Sequence, residues 1–367
     1  MNQTMTRAWN FNAGPSALPL PVLEKAQKEL VNFRESGMSV MELSHRSALY
    51  EGVHNEAIEL LKELLQIPDG YQVLFLQGGA SLQFSMIPMN FLQEGMRAGY
   101  VLTGSWSEKA LKEATILKQE TYVAASTKEE SYRRIPGLDE LKLEQGSAYL
   151  HITSNNTIYG SEWAEYPDTG EIPLIADMSS DILSRPVDVS KFGMIYAGAQ
   201  KNLGPSGVTV VILRSDLIEK ARTDIPTMLR YDIHNKNNSL YNTPPTFGIY
   251  MLGLVLKWVQ QLGGVQAVEA RNQEKAQLIY NAIDESNGFY TGHVSDKMSR
   301  SLMNITFRLP SEALEKEFLS QAKAQGFVGL NGHRSVGGCR ASAYNAVPVE
   351  ACQALRDFMI EFQRAHG

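Results

Sequence analysis

The amino-acid sequence predicts an α/β protein whose core is a largely parallel β-sheet covered by helices on both faces. Short apolar runs alternate with amphipathic helical stretches up to about residue 215, which is the pattern of repeated strand–helix units. The runs are almost continuously apolar, as strands are when both faces of their sheet are buried. The length of 367 residues exceeds one ordinary domain, so we expect about two.

The predicted elements follow one another in a regular order. After a Gly/Pro-rich loop, NFNAGPSALP, apolar residues recur every three or four positions from Val22 to Phe33 and predict a helix that ends near Gly37. The strand-like runs that follow are YQVLFLQGG, GYVLTGS, GSAYLHITSNNT, EIPLIADMSSD, FGMIYAGAQK and GVTVVILR.

Beyond this series the pattern indicates a second, smaller α+β unit. The chain is predicted to be helical from about Phe247 to Asp284, SLMNITFRLP predicts a strand, and the apolar stripe from Val349 to Phe362 predicts the last helix. We expect a large domain at residues 17–265 and a small domain at residues 266–367, joined by an N-terminal segment at residues 1–16.

Composition narrows the classes of function. A net charge of −6 argues against a general nucleic-acid binder, although a few arginines in a cleft can still hold an anionic small molecule. The two cysteines make no disulfide framework and fit a reducing cytoplasm. The N-terminus lacks the apolar core of a secretory signal, the longest apolar run is too short for a membrane helix, and the histidine spacing predicts no metal site.

Ligands of open parallel sheets bind beyond the carboxyl ends of the strands. The residues that follow the apolar runs are therefore the candidates for chemistry: Gly78 to Ser81, Trp106, Asn155 to Thr157, Asp177 and Lys201. Lys201 lies between two buried-looking runs, where desolvation would lower its pKa and free the amine as a nucleophile. The alternative is that Lys201 is the polar tip of a turn.

The other candidates each have an ordinary alternative. Asp177 could hold a protonated ring nitrogen, as pyridoxal phosphate chemistry requires, or could cap a turn. The small residues of QGGASLQF could seat a phosphate at a helix N-terminus, or form a common strand-to-helix turn. Trp106 could stack on a flat cofactor ring or belong to the core.

Positive side chains occur in two short segments, SHRS and NGHRSVGGCRAS. They supply His45 and Arg46 in the first segment, and His333, Arg334 and Arg340 in the second. Because arginine matches carboxylate and phosphate geometry, two such clusters suit a substrate with two anionic ends. The alternative is that these five side chains are ordinary solvated residues of surface loops.

Seven segments in order carry a resemblance: FNAGPSALP, SHRS, GSWS, ADMSSD, AGAQKNLGPSG, YNTPPTF and GHRSVGGCRASAYNA. With them the chain resembles the phosphoserine aminotransferase family, a class V family of fold-type I pyridoxal-phosphate enzymes, from about Asn10 to the C-terminus. The resemblance implies a large domain with a seven-stranded, mainly parallel sheet, a smaller α+β domain and a homodimer with shared active sites. Many members of the family have arginine where this chain has Ser81.

The resemblance also implies roles for individual residues. Lys201 would form the covalent imine bond to the cofactor and move the substrate proton, and Asp177 would pair with the pyridinium nitrogen. Further cofactor contacts are implied for Ala80, Ser81, Trp106, Thr157, Gln200, Asn242 and Thr243. Of these, Asn242 and Thr243 would come from the neighbouring subunit. Substrate contacts are implied for His45, Arg46, His333, Arg334 and Arg340.

The implied reaction is a reversible amino transfer between L-glutamate and 3-phosphohydroxypyruvate, a step of serine biosynthesis with a related use in pyridoxine biosynthesis. Another class V activity, such as that of a small-amino-acid transaminase or a cysteine desulfurase, is an alternative. A cysteine desulfurase needs an exposed reactive cysteine, and Cys339 precedes Arg340 in a Gly-rich loop. A non-catalytic binding protein would have no use for the pair of Lys201 and Asp177.

Overall fold

The computed structural model describes residues 7–367. Its helices are α1 (Leu20–Glu29), α2 (Ala48–Leu65), α3 (Gly79–Phe91), α4 (Ser105–Ile116), α5 (Ser215–Glu219), α6 (Tyr231–Lys236), α7 (Thr246–Gln261), α8 (Gly264–Asp284), α9 (Glu312–Ala324) and α10 (Val349–His366). Its strands are β1 (Trp9–Asn10), β2 (Tyr71–Leu76), β3 (Arg97–Leu102), β4 (Glu120–Ser126), β5 (Tyr149–Thr153), β6 (Asn155–Asn156), β7 (Ser161–Glu162), β8 (Leu174–Asp177), β9 (Met194–Gly198), β10 (Thr209–Arg214), β11 (Thr291–Gly292), β12 (Asn304–Arg308), β13 (Phe327–Val328) and β14 (Cys339–Ser342).

A seven-stranded sheet forms the centre of the molecule in the order β2-β10-β9-β8-β5-β3-β4. The pairs from β9 through β8, β5 and β3 to β4 are parallel, and β10 runs antiparallel to both of its neighbours, β9 and β2. The predicted α/β class with a largely parallel sheet is confirmed. Because the central strands share one direction, the residues after β5, β8 and β9 meet at one edge.

Burial on both faces explains the continuous apolar runs. In β9, Ile195 and Ala197 pack into one apolar core, whereas Met194 and Tyr196 pack into another. The first core also contains residues of α2 and α7, and the second contains residues of α3 and α4. A strand between two helical layers has no solvent face, so it loses the polar alternation of a half-exposed strand.

The C-terminal part of the chain builds a separate apolar core around the three-stranded sheet β11-β12-β14, with side chains from α8, α9 and α10. The predicted helical stretch from Phe247 is two helices, because Gly263 adopts a left-handed φ of 100° between α7 and α8. The predicted boundary at residue 265 falls in the first turn of α8, and the division into two domains stays a prediction. Across residues 7–367, every helix is too short or too polar to cross a bilayer.

Two local predictions were wrong or incomplete. Helix α1 ends at Glu29 rather than near Gly37, and Phe33 is buried in a separate 3₁₀ turn. There the Phe33 N–H donates to Met38 O at 2.8 Å, and the Gly37 N–H donates to Asn32 Oδ1 at 2.8 Å, so a loop replaces the last helical turns. Strand β4 had no predicted counterpart, because it is an edge strand whose residues are mostly half-buried or exposed.

Candidate active site

A cavity of about 310 Å³ opens beyond the carboxyl ends of β8 and β9, beside the N-termini of α3 and α4. It is lined by most of the residues predicted to bind a cofactor or substrate. These are Ala80, Ser81, Trp106, Thr157, Asp177, Gln200, Lys201, His333 and Arg340. They come from segments up to 260 residues apart in the chain (340 − 80), which the parallel sheet brings to one edge.

Lys201 presents its amine to this cavity from the turn after β9. Its Nζ donates to Thr157 Oγ1 at 2.8 Å. Burial lowers the pKa of Lys201 to about 8, against the attraction of the Asp177 carboxylate, and the charge of Arg340 lowers it further. An amine with this pKa is partly unprotonated near neutral pH, as a nucleophile or a proton acceptor must be.

The N-terminal loop fixes the backbone of the lysine turn. The Ser16 N–H donates to Gln200 O at 2.9 Å, and Ser16 Oγ donates to Lys201 O at 2.5 Å. Gly14 approaches closely as well, since a Cβ on it would lie 3.5 Å from Lys201 Cγ. The N-terminal loop therefore holds the turn from which the amine projects.

Asp177 is the last residue of β8 and is 5% exposed. Its Oδ1 accepts a hydrogen bond from the Ser179 N–H at 2.9 Å. Burial raises the pKa of Asp177, and the Ser179 hydrogen bond and the charge of Lys201 oppose that rise. A further partner that is positively charged or donates a hydrogen bond stabilises a buried carboxylate of this kind. A protonated ring nitrogen is such a partner.

The N-terminus of α3 borders the cavity on another side. Gly78 and Gly79 have left-handed φ values of 89° and 66°, and a Cβ on Gly78 would lie 2.5 Å from Leu82 Cδ2. The turn therefore requires glycine, and the N–H groups of Ala80 and Ser81 belong to the first helical turn, whose donors lack intrahelical acceptors. Such donors and the helix dipole suit a phosphate group.

Trp106 stands in the first turn of α4 and lines the cavity. Its indole Nε1 is buried and has no hydrogen-bond partner among the described residues. The Ser107 hydroxyl accepts hydrogen bonds from the Thr103 and Gly104 N–H groups and so stabilises the turn that carries the indole. The indole is placed to stack on a flat ligand ring.

Arg340 is a buried cation that lacks an acidic partner within residues 7–367. Its side chain is 9% exposed, Nη1 donates to Thr157 O at 3.0 Å, and the buried Nε is unpaired in this part of the chain. Burial lowers the pKa of Arg340. A desolvated guanidinium with free donors is a strong site for a carboxylate.

His333 borders the same cavity. Burial lowers its pKa, and the positive charges of Arg340, Arg334 and Lys109 lower it further. His333 Nδ1 lies 2.7 Å from Ser335 Oγ.

Five predicted site residues do not line the cavity. Arg334 is exposed beside His333. His45 and Arg46 precede α2, and the Nε2 atom of His45 is buried without a partner among the described residues. Asn242 and Thr243 precede α7, and Gln77 Nε2 donates to Thr243 O at 3.2 Å. In this single chain, none of these five completes the cavity.

The sequence pattern marked Asn155 and Asp177 as candidates but missed the residues that hold their side chains. Asn155 Nδ2 donates to Ser180 Oγ and to Asn304 Oδ1, each at 2.8 Å, and Ser301 Oγ donates to Asn155 Oδ1 at 2.6 Å. Ser179, which orients Asp177, lies two residues after the strand end and could have been found from that position. The partners of Asn155 lie far along the chain, so the sequence offers no signal for them.

Cys339 does not fit the desulfurase alternative. It is 1% exposed in β14, and burial raises the pKa of its thiol. A reactive cysteine needs exposure and a lowered pKa. The structure therefore does not support the alternative of a reactive thiol at Cys339.

Residues 8–355 match the family described as aminotransferase class V. A curated phosphoserine aminotransferase from Lysinibacillus sphaericus (strain C3-41) is 69% identical over 360 residues, which cover 98% of this chain and 99% of the relative. The chain belongs to the class V aminotransferases. The resemblance inferred from the sequence is thereby confirmed.

Solved structures of this class V family have the same fold. The phosphoserine aminotransferase from Bacillus circulans subsp. alkalophilus is 62% identical, with a TM-score of 0.97 over 98% of this chain and 99% of that chain. The PLP-bound phosphoserine aminotransferase from Trichomonas vaginalis is 42% identical, with a TM-score of 0.91 over 96% of this chain and 100% of that chain. The chain is a pyridoxal-phosphate-dependent aminotransferase, as predicted.

The cavity residues of this class V enzyme fit pyridoxal phosphate. The lowered pKa of Lys201 suits an amine that bonds to an aldehyde. Asp177 is a buried carboxylate with room for a ring nitrogen, Trp106 offers an indole face, and the first turn of α3 offers N–H donors for phosphate.

Proposed function

We propose that this enzyme transfers the amino group of L-glutamate to 3-phosphohydroxypyruvate, giving O-phospho-L-serine and 2-oxoglutarate, reversibly. The observation that carries the proposal is the arrangement around Thr157. Its hydroxyl accepts from the Lys201 amine at 2.8 Å, and its carbonyl accepts from the Arg340 guanidinium at 3.0 Å. A nucleophilic amine and a carboxylate site thus face one cavity. The high identity to phosphoserine aminotransferases supports the phosphorylated substrate.

Pyridoxal phosphate, when bound, serves as an electron sink and carries the amino group between the two substrates. We propose that Lys201 and Asp177 hold the cofactor at its reactive carbon and ring nitrogen. Trp106 and Thr157 contact the ring. Contacts to the cofactor phosphate are proposed for Ala80, Ser81, Gln200, Asn242 and Thr243.

The substrate is proposed to bind with its α-carboxylate on Arg340. This orients the α-carbon next to Lys201, whose free amine accepts the α-proton and later returns it. The amine has the lowered pKa that such a transfer requires. His333, Arg334, His45 and Arg46 are proposed to surround the distal anion, which is a phosphate in one substrate and a carboxylate in the other.

We propose that the active unit is a homodimer with shared sites. His45 and Arg46 lie outside the cavity of their own chain, close in sequence to exposed apolar side chains such as Val31 and Met41, which are 82% and 54% exposed. Exposed apolar side chains of this kind suit an interface. Light scattering should give twice the 40.8 kDa mass of the chain, and a monomer mass would contradict the proposal.

The cellular role follows from the proposed reaction. A source of O-phospho-L-serine serves serine biosynthesis, and action on a related phosphorylated precursor would serve pyridoxine biosynthesis. We infer a cytoplasmic location, since both cysteines are free and buried, as in a reducing compartment.

The test is a titration of the visible absorption of the purified holoenzyme with O-phospho-L-serine and then with L-serine. We expect a yellow band that O-phospho-L-serine converts to the amine form at far lower concentration than L-serine does. The Lys201→Ala variant should lack turnover. An equal response to the two amino acids would contradict the substrate assignment, and normal turnover of the variant would contradict the role of Lys201.

A further inference from the structure

Lys109 lies in α4 beside Trp106, a residue that lines the cavity. It lies one helical turn after Trp106, and its Nζ is 4.3 Å from the centroid of the Trp106 ring. Long side chains on a helix lean toward its N-terminus, which here faces the cavity. The ammonium is therefore held near a residue that lines the site, although Lys109 itself is exposed.

The acidic neighbours of Lys109 are engaged with other residues. Glu108 Oε1 forms an ion pair with Lys128 Nζ at 2.6 Å. Glu113, four residues further along the helix, could be the usual ion-pair partner of a helical lysine. Its Oε2 instead accepts from Ser85 Oγ at 3.2 Å. Within residues 7–367, no carboxylate forms an ion pair with Lys109.

The charge of Lys109 reaches the site electrostatically. The pKa of His333 is lowered by burial, and then by Arg340, Arg334 and Lys109. These three cations act on one imidazole at the cavity wall. Arg340 and Arg334 belong to β14 and the loop before it, whereas Lys109 approaches from α4. On the α3 side, Ser81 brings no charge.

We propose that Lys109 is a specificity-determining residue that favours a phosphate over a carboxylate as the distal anion of the substrate. The inference rests on the proposed function, since it assigns a further residue to the same distal-anion site. A phosphate monoester carries a charge close to −2 above pH 7, and a carboxylate carries −1. A nearby cation therefore stabilises the phosphate about twice as strongly.

The effect should be modest because Lys109 is exposed and solvent screens its charge. We expect about a 3- to 10-fold change in affinity for a phosphorylated ligand, on the scale of a single partly screened charge. For a dicarboxylate we expect a change of less than about 3-fold.

Lys109→Met tests the proposal in the holoenzyme with two ligands that lack an amino group and cannot react. Phosphoglycolate carries a carboxylate and a phosphate, and glutarate carries two carboxylates. Calorimetric titration should show a Kd for phosphoglycolate about 3- to 10-fold higher in the variant, with a smaller change for glutarate. Lys109→Arg should restore the wild-type ratio. Lys112→Met, a charge loss at an exposed position further along α4, should leave both Kd values unchanged.

Several results would overturn the inference. They are an unchanged Kd for phosphoglycolate in Lys109→Met, an equal change for both ligands, or an equal effect of Lys112→Met. The selection of O-phospho-L-serine over L-serine by the wild type separates this failure from failure of the proposed function. If the wild type selects O-phospho-L-serine and Lys109→Met binds phosphoglycolate as the wild type does, only the role of Lys109 is excluded. A wild type that does not select O-phospho-L-serine over L-serine overturns both the proposed function and the role of Lys109.

Discussion

Replacing Arg340 with methionine should separate substrate binding from the stability of the fold. Arg340 is 9% exposed and donates one hydrogen bond, from Nη1 to Thr157 O. Its Nε is unpaired within residues 7–367. Methionine keeps a long, adaptable apolar side chain in this space while it removes the charge and every donor.

The catalytic loss follows from the desolvation of the guanidinium. Truncating one partner of a buried, hydrogen-bonded charge pair costs about 2–5 kcal/mol. At about 1.4 kcal/mol per tenfold change, kcat/KM should fall roughly 30- to 4,000-fold. The fall should be similar for L-glutamate and O-phospho-L-serine, because both substrates present the same α-carboxylate to Arg340.

The stability of the apoenzyme should change little or rise. The variant loses the hydrogen bond to Thr157 O, which is worth about 1 kcal/mol. It also loses a charge that folding desolvates without an acidic partner, as the lowered pKa of Arg340 indicates. Removing that charge offsets the lost bond, so the free energy of unfolding should fall by no more than about 1 kcal/mol.

Single-turnover absorbance changes with each amino acid measure the first effect, and urea unfolding of the apoenzyme measures the second. Arg340→Lys is the matched control, because it keeps the charge but loses the planar fork and should recover part of the rate. A loss of activity below about 5-fold, on the same free-energy scale, would refute the carboxylate site. A loss of stability above about 3 kcal/mol would show that Arg340 is structural instead.

Two further predictions concern stability. Lys275 is buried, with Nζ donating to Ala343 O and Tyr344 O, and burial lowers its pKa to about 8 from 10.5. Between pH 8 and 10 the unfolded chain should hold more protons at Lys275 than the folded chain does. The free energy of unfolding of the wild-type apoenzyme, measured in urea, should therefore rise with pH relative to that of Lys275→Met. A difference between the two that does not change with pH would refute this. Gly160→Ala should lower the free energy of unfolding by about 2 kcal/mol or more, because φ is 84° and a Cβ would lie 2.6 Å from Asn304 O. Gly170→Ala, at a φ of 59° in open space, should cost only about 1 kcal/mol, and equal costs in thermal or urea unfolding would contradict the steric argument.

The central strands could be predicted from the sequence because burial on both faces leaves a continuous apolar run. The same reasoning failed at the edge of the sheet. Strand β4 packs only part of its length against the core, so its pattern is weaker than that of β8 or β9. The end of α1 was missed because the helix stops at a loop that satisfies its own backbone groups. In that loop the Phe33 N–H donates to Met38 O, and the Gly37 N–H donates to Asn32 Oδ1.

Some features of the site could likewise be predicted from the sequence, and others could not. Asp177 and Lys201 could be placed together because a parallel sheet brings strand ends to one edge. The contacts that hold them depend on tertiary structure. Asn155 reaches Asn304 across 149 residues, and Ser16 reaches Lys201 across 185. Pairings at such separations leave no periodic signal, so a sequence motif can mark the residue but cannot identify its partner.

The shared contact with Thr157 suggests how anion binding and proton transfer are connected. The charge of Arg340 is one of the causes that lower the pKa of Lys201. A carboxylate bound to Arg340 cancels that charge, so the pKa of the free amine rises when substrate is present. Once it is released from the cofactor, the amine is therefore a stronger base when a carboxylate occupies Arg340. An acidic partner from within the chain would cancel the charge of Arg340 permanently and remove this difference. The lack of such a partner among residues 7–367 therefore has a chemical reason.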